Sequence, residues 1–196
     1  ANACSDAFAC TADACVNGAC VSTNGCTGGQ SCSLCTGLCE ALPTLPIVAS
    51  TGGISGTPGT PGTGGSTWKY FKGTANPPAD WTSVCFNDAT WLSGVGGFGY
   101  GPDCAAQRGT ILTDMNGGYQ SIYTRKVFYV ANPGTVTGLI LSLDTDDAAV
   151  AYLNGTEIGR TTGFVGTPPA FNAVPTGKEC SVPEPNTGGI PAQVFP

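Results

Sequence analysis

Eight cysteines fall within the first 40 residues: Cys4, Cys10, Cys15, Cys20, Cys26, Cys32, Cys35 and Cys39. A segment this short cannot bury enough apolar surface to fold alone, so cross-links must supply the stability that a core does not. The spacings read C-x5-C-x4-C-x4-C and then C-x5-C-x2-C-x3-C, with the two halves starting 22 residues apart. They imply a tandem repeat of a four-cysteine unit with all eight sulfurs in disulfides, each closing a short loop for roughly 2–4 kcal/mol. Spacing does not reveal which cysteine pairs with which. The Cys32-Ser33-Leu34-Cys35 run also has the spacing of a redox dithiol, and the cluster has enough thiols for zinc. The disulfide reading is preferred: a redox pair would stand alone on a helix, and a zinc-thiolate site would want a reducing compartment.

Composition agrees with a cross-linked, turn-rich chain. The 196 residues include 11 Cys, 30 Gly and 15 Pro, and 10% are charged. A soluble domain ordinarily has about 25% charged residues. No window shows sustained helical periodicity, so the expected class is mainly β. There is no histidine, which removes the commonest general base and the commonest transition-metal ligand. A net charge of −6 argues against a nucleic-acid partner, because phosphate binding needs clustered Lys and Arg. No apolar run approaches the roughly 18 residues of a membrane span. The start, Ala1-Asn2-Ala3-Cys4, reads as a mature N-terminus after signal cleavage. A secreted or cell-surface location is expected.

The sequence divides into three parts. Residues 1–40 are the disulfide-rich head. Residues 41–66 are a linker: ALPTLPIVAS, apolar with two prolines, followed by TGGISGTPGTPGTGGS. Such Gly/Pro/Thr sequence is a flexible or polyproline tether, and Thr57, Thr60 and Thr63 are candidate O-glycosylation positions. The first basic residue of the chain is Lys69, so residues 1–68 carry no positive charge.

Residues 67–196 carry strand patterns. Trp68-Lys69-Tyr70-Phe71-Lys72 reads as a short strand, and residues 119–131 (YQSIYTRKVFYVA) alternate and are aromatic-rich. Residues 136–143 place Leu139, Leu141 and Leu143 on one face. Residues 147–153 lead into Asn154-Gly155, the strongest short hairpin signal, and residues 156–161 return the chain. Long loops are expected over 73–118 and 163–196. Together these predict an antiparallel β-sandwich, most naturally a jelly roll. Cys85 is expected to pair with Cys104, leaving Cys180 as the odd thiol for a residue of further chain or for another chain; pairing of Cys180 with Cys85 or Cys104 is the alternative.

The blocks WKYFKG, PPADW, FNDATW, GFGYG, YTRKVF and DDAAVAYLNGTEI occur in that order over about residues 68–175. They resemble a galactose-binding-like β-sandwich of large secreted bacterial proteins. The run CTADACVNGACVSTNGCTGGQSC resembles the small Cys-rich repeats of such proteins. The first resemblance implies a non-catalytic jelly roll, often accessory to carbohydrate binding or surface attachment. The second implies a spacer or presentation module. Sandwiches of this kind continue with another core strand, whereas this sequence closes on Gln193-Val194-Phe195-Pro196. The expectation is that further chain or a neighbouring copy supplies that strand by β-augmentation, with residues 41–50 as a donor.

Few constellations point to chemistry. Asp144, Asp146 and Asp147 crowd together at a strand junction. Calcium is the cofactor they would take, and a water-solvated tight turn is the plainer reading. Asp144 with Glu157 is a conceivable glycosidase pair, but nothing marks either residue. Gly97-Phe98-Gly99-Tyr100-Gly101 lacks the strand-to-helix context of a phosphate loop and reads as an aromatic packing or surface loop. Trp68, Trp81, Trp91, Phe98 and Tyr100 are candidates for stacking on sugar rings, or else core anchors. Asn154-Gly155-Thr156 is an N-glycosylation sequon that the turn alone explains. The expected function is therefore non-enzymatic: an extracellular structural subunit that self-associates into a filament or layer. The alternative is a carbohydrate-binding or adhesion module of a larger secreted protein.

Overall fold

The computed structural model describes residues 4–33, 35–41, 66–101, 108–128, 148–161, 163 and 165–175. The linker residues 42–65, Cys104, Cys180 and residues 129–147 lie outside these. With them go the expected strand at 136–143, Asp144, Asp146, Asp147, Thr57, Thr60 and Thr63. The chain forms two compact units, Ala1–Ile47 and Val48–Pro196. The described residues are mainly β, without helices, in five small sheets. No helix among them is long and apolar enough to cross a membrane.

The first unit holds two antiparallel hairpins. Strands β1 (Thr11–Val16) and β2 (Ala19–Asn24) pair from Thr11 opposite Asn24 to Val16 opposite Ala19. The connection is Asn17-Gly18, with φ of 53° and 82°. Both angles are left-handed, as a type I′ turn requires, and its twist matches that of the strands. Strands β3 (Gln30–Cys32) and β4 (Cys39–Ala41) form the second hairpin. Every residue of β2 and β4 is exposed, so packing contributes little and covalent bonds must hold the unit. Disulfides join Cys4 to Cys20, Cys10 to Cys32 and Cys26 to Cys39. Their sequence separations are 16, 22 and 13 residues, and a loop of about 15 residues is worth about 3 kcal/mol. The pattern respects the four-cysteine halves. First pairs with fourth inside each half, and second pairs with second between halves. Cys35 and Cys85 are also disulfide-bonded.

Cys15 corrects the sequence expectation. It was expected in a disulfide, and it is a free, exposed thiol. It stands directly opposite Cys20 on the β1–β2 ladder, but Cys20 is already bonded to Cys4. The nearest partner by strand register is therefore consumed. Cys32 likewise bonds to Cys10 and not to Cys35 across the CxxC spacing.

The second unit is built on a three-stranded antiparallel sheet in the order β6-β5-β9. Its strands are β5 (Thr67–Lys72), β6 (Leu92–Val95) and β9 (Ile122–Arg125). Between β6 and β9 in sequence lie β7 (Phe98–Gly99) and β8 (Thr110–Ile111), which pair in parallel. The segment 73–118, expected as loop, thus contains three short strands. At two to four residues each they are too short for alternation to show. The alternation read over 119–131 yields strand only at Ile122–Arg125 among its described residues. The last hairpin joins β10 (Val150–Leu153) to β11 (Thr156–Arg160) through Asn154-Gly155. The turn has φ of 49° and 86° and is again type I′, as the sequence predicts. Among the described residues these small sheets do not join into a closed sandwich.

Alternation along β5 splits its side chains between two faces. Tyr70 packs on Phe98 at 5.2 Å between ring centroids. Phe71, on the opposite face, meets Trp91 at 5.5 Å and Tyr123 at 6.1 Å. Trp81 joins this second group, stacked on Trp91 at 6.2 Å and edge-on to Tyr123 and Tyr152 at 5.2 and 5.6 Å. The contact with Tyr152 ties the last hairpin to the loop that carries Trp81. Phe86 closes the cluster edge-on to Trp91 at 5.4 Å.

Arg125 anchors the 81–91 loop to this sheet. Its Nε donates to Asp88 Oδ2 at 3.1 Å, and its Nη1 donates to the Ser83 carbonyl at 3.0 Å and to that of Trp81. Its guanidinium carbon lies 5.1 Å from the centre of the Phe86 ring. The side chains of Arg125 and Asp88 are 9% and 23% exposed. Removing one partner of such a pair leaves an uncompensated charge and unsatisfied carbonyls, which costs about 3–5 kcal/mol when fully buried. Asp88 retains some solvent, so Arg125→Met is expected to cost about 3 kcal/mol in urea unfolding. A loss below about 0.5 kcal/mol, the range of an ordinary surface substitution, would show that the loop is held by its rings alone.

Candidate functional site

The sheet's first cross-strand row consists of Ser93, Lys69 and Arg125, which lie opposite one another in register. The next row on that face brings Phe71 opposite Tyr123. Chemistry on this face therefore passes from aromatic to cationic within two residues along β5. The cationic end opens into a groove of about 260 Å³, lined among others by Trp68, Lys69, Asp88, Arg125 and Lys126. Lys126 Nζ donates to the Thr67 carbonyl at 2.8 Å, and Lys69 Nζ reaches the Trp91 carbonyl at 3.5 Å. Neither lysine contact is with a carboxylate, so both positive charges face the groove without neutralisation by these bonds. The Trp68 indole N–H is buried and has no acceptor among the described residues.

The aromatic residues singled out for sugar stacking separate into two kinds. Trp91 is 7% exposed and packs between Phe71, Trp81 and Phe86. Trp81 and Phe98 are half-buried, with rings engaged as above. Tyr100 is 44% exposed. A second shallow groove of about 200 Å³ runs past Tyr70, Phe71, Trp91 and Leu92. The cluster stacks Trp81 and Trp91 on one another and makes them a packing centre of the unit.

Glu157 is bound by Arg160, whose Nε and Nη2 donate to its two carboxylate oxygens at 2.6 and 2.8 Å. The Arg160 hydrogen bonds hold its carboxyl below the usual range, and a carboxyl held ionised is a poor proton donor. Asn154 is exposed at the tip of its turn, where a glycan would have room. No group of three metal-ligating side chains occurs among the described residues.

A further cluster escaped the sequence reading because it joins residues far apart. Lys72 Nζ lies 2.5 Å from Asp114 Oδ2, and the Tyr119 hydroxyl donates to Asp114 Oδ1 at 3.1 Å. Lys72 also sits over the Tyr119 ring at 5.8 Å. Burial, followed by the hydrogen bond to Asp114, pushes the Tyr119 hydroxyl up to about 12. Such a shift favours the folded state while the phenol keeps its proton. The stabilisation is complete below the ordinary value of 10.0 and lost as pH rises towards about 12.

In the first unit, Asp6 and Asp13 are adjacent: the Asp6 amide donates to Asp13 Oδ2 at 3.2 Å. Asp6 Oδ1 accepts from Thr11 Oγ1 at 2.7 Å and from the Phe8 amide at 2.9 Å. These bonds, Thr11 first, hold its carboxyl below the usual value. Asp13 Oδ1 accepts from Ser22 Oγ at 2.7 Å. Two carboxylates thus share one side of the β1–β2 hairpin, where Asp6 is exposed and Asp13 half-buried.

No protein-family model, curated protein or solved structure matches the chain. The site must therefore be read from its own chemistry.

Two measurements check these assignments. Alkylation of the native, unreduced protein followed by peptide mass spectrometry should modify Cys15 and leave Cys4, Cys10, Cys20, Cys26, Cys32 and Cys39 bonded. Protection of Cys15 would contradict its exposure. Absorbance titration at 295 nm should show a tyrosine ionising near pH 12 that disappears in Tyr119→Phe. The absence of any such late transition would count against the buried bond to Asp114.

Proposed function

We propose that the protein is a non-enzymatic, extracellular structural subunit that self-associates, with the stapled head as a contact module and the second unit as a jelly-roll-like scaffold. One observation carries the reading. The head hairpins are cross-linked and exposed, with the six residues of β2 open to solvent throughout. Within that hairpin Val16 and Val21 are 52% and 39% exposed. An isolated two-stranded hairpin is marginally stable in water, so the disulfides here hold an exposed surface in place. Bonded strands with open edges are suited to pairing with another chain. The disulfides themselves are usual in secreted and surface proteins. The low charge density of the chain reduces the self-repulsion that keeps subunits apart.

The carbohydrate-binding alternative needs aromatic faces free to stack. Tyr100 retains such exposure, while Trp81 and Trp91 are occupied with one another.

Sedimentation velocity over rising protein concentration, with the disulfides intact, tests the proposal. Larger species should grow with concentration, and electron micrographs of the concentrated sample should show regular assemblies. A single monomeric species over the whole range would defeat it.

A further inference from the structure

We propose that the groove beside Lys69 and Arg125 binds an organic carboxylate, the acid group of a small hydroxylated molecule. The inference is independent of the self-association proposed above. It begins with a guanidinium that is buried yet not fully used. The Arg125 side chain is 9% exposed. A guanidinium carries five N–H donors. Nε gives its one donor to Asp88 Oδ2, and Nη1 serves the carbonyls of Trp81 and Ser83. Nη2, with two donors, has no partner among the described residues. It is also absent from the buried side-chain atoms left unpartnered there, which are Trp68 Nε1 and the Tyr152 hydroxyl. Nη2 is therefore open to solvent, and the open space that Arg125 lines is the groove of about 260 Å³. The donors already in use hold the 81–91 loop. Packing gives no role to the remaining two.

Lys69 completes the pair. It stands directly opposite Arg125 in register, so the two side chains leave the same face of the sheet. Residues opposite one another have Cβ atoms about 4.5–5.5 Å apart. The Lys69 ammonium reaches the Trp91 carbonyl at 3.5 Å and keeps further donors, since an ammonium has three. One carboxylate can thus accept from Arg125 Nη2 at one oxygen and from Lys69 Nζ at the other. Bonds between ionised partners are roughly twice as strong as neutral ones. Lys126 adds a third cation to the groove, and its single carboxylate, Asp88, is bonded to Arg125. Three cations against one carboxylate leave two positive charges. Like charges gathered in this way repel unless an anion sits among them.

The groove also says what the carboxylate is carried on. Its volume of about 260 Å³ exceeds what a bare ion fills, a water molecule in the liquid taking about 30 Å³. It falls short of the roughly 300–1,000 Å³ of sites for larger ligands, so the body is no bigger than about one ring. Thr67 and Ser93 line the groove and are exposed. Neither hydroxyl has a hydrogen-bond partner among the described residues, so both are available to hydroxyls of the ligand. Val127, 56% exposed, supplies one apolar wall. A uronic acid and a short hydroxy acid both offer this combination of groups.

Titration of the full chain, labelled with nitrogen-15, at low ionic strength tests the proposal. The probes are glucuronate, lactate, glucose and inorganic sulfate, read by the side-chain resonances of Arg125. Glucuronate or lactate should shift these signals saturably, the tighter of the two naming the source of the carboxylate. Glucose and sulfate should bind about tenfold or more weakly, because each lacks half of the recognised chemistry. Lys69→Gln should weaken the carboxylate about tenfold or more, with near-ultraviolet circular dichroism confirming that the variant is folded. Lys72→Gln, a change outside the groove on the same strand, should leave affinity unchanged. Equal binding of glucose would overturn the role of the charge. Sulfate binding as tightly as either acid would mean an adventitious ion only and overturn the organic ligand. Failure of all four probes to move the Arg125 signals, or affinity that ignores Lys69→Gln in a folded protein, would overturn the site.

Discussion

The second unit depends on the guanidinium of Arg125. One planar cation meets the Asp88 carboxylate, two loop carbonyls and the Phe86 ring. A lysine could not satisfy this arrangement, because a single ammonium lacks the fork of donors and the flat face. The bonds draw the 81–91 loop down on the sheet, and the loop delivers Trp81 and Trp91 to the aromatic cluster. That cluster in turn receives Tyr152 from the last hairpin. Sheet, loop and hairpin are thus linked through a residue that would ordinarily be expected at the surface.

The head solves the same problem by other means. Among the described residues of the head the buried apolar side chains are Cys4 and Cys10 themselves, so their sulfurs serve as both cross-links and core. The cost of ordering a hairpin is offset in the unfolded state, whose freedom the closed loops restrict. Among the described residues β2 and β4 stay exposed along their whole length. An exposed rigid hairpin and a cationic groove are the two features that packing does not explain, and each carries part of the functional reading.

Some of this was legible from local sequence. The strand at Trp68–Lys72 follows from its alternation, and the Asn154-Gly155 turn follows from the left-handed angles that only such residues accept cheaply. Asn17-Gly18 carries the same signal inside the head, between β1 and β2. The inward place of Arg125 was also readable in part, since it shares parity with Tyr123 on an alternating strand. By contrast, β6, β7 and β8 have no periodicity to read. They exist because a strand from elsewhere in the chain pairs with each, β5 with β6 and β7 with β8, a condition set outside the segment itself.

The sequence alone determined that the chain would be β-rich, cross-linked at its start and divided near a Gly/Pro/Thr-rich segment. These properties follow from composition and from neighbours along the chain. It did not determine that Cys15 would be left over. A cysteine's partner is decided by which sulfur the fold brings within bonding distance, and Cys20 faces Cys15 across the ladder while bonded to Cys4. Nor did it reveal that Lys69, Arg125 and Lys126 share a groove, because strand pairing brings together residues more than fifty positions apart. The eight-cysteine head thus made cross-linking necessary, and only the tertiary structure decided which thiol stays free and where the positive charge collects.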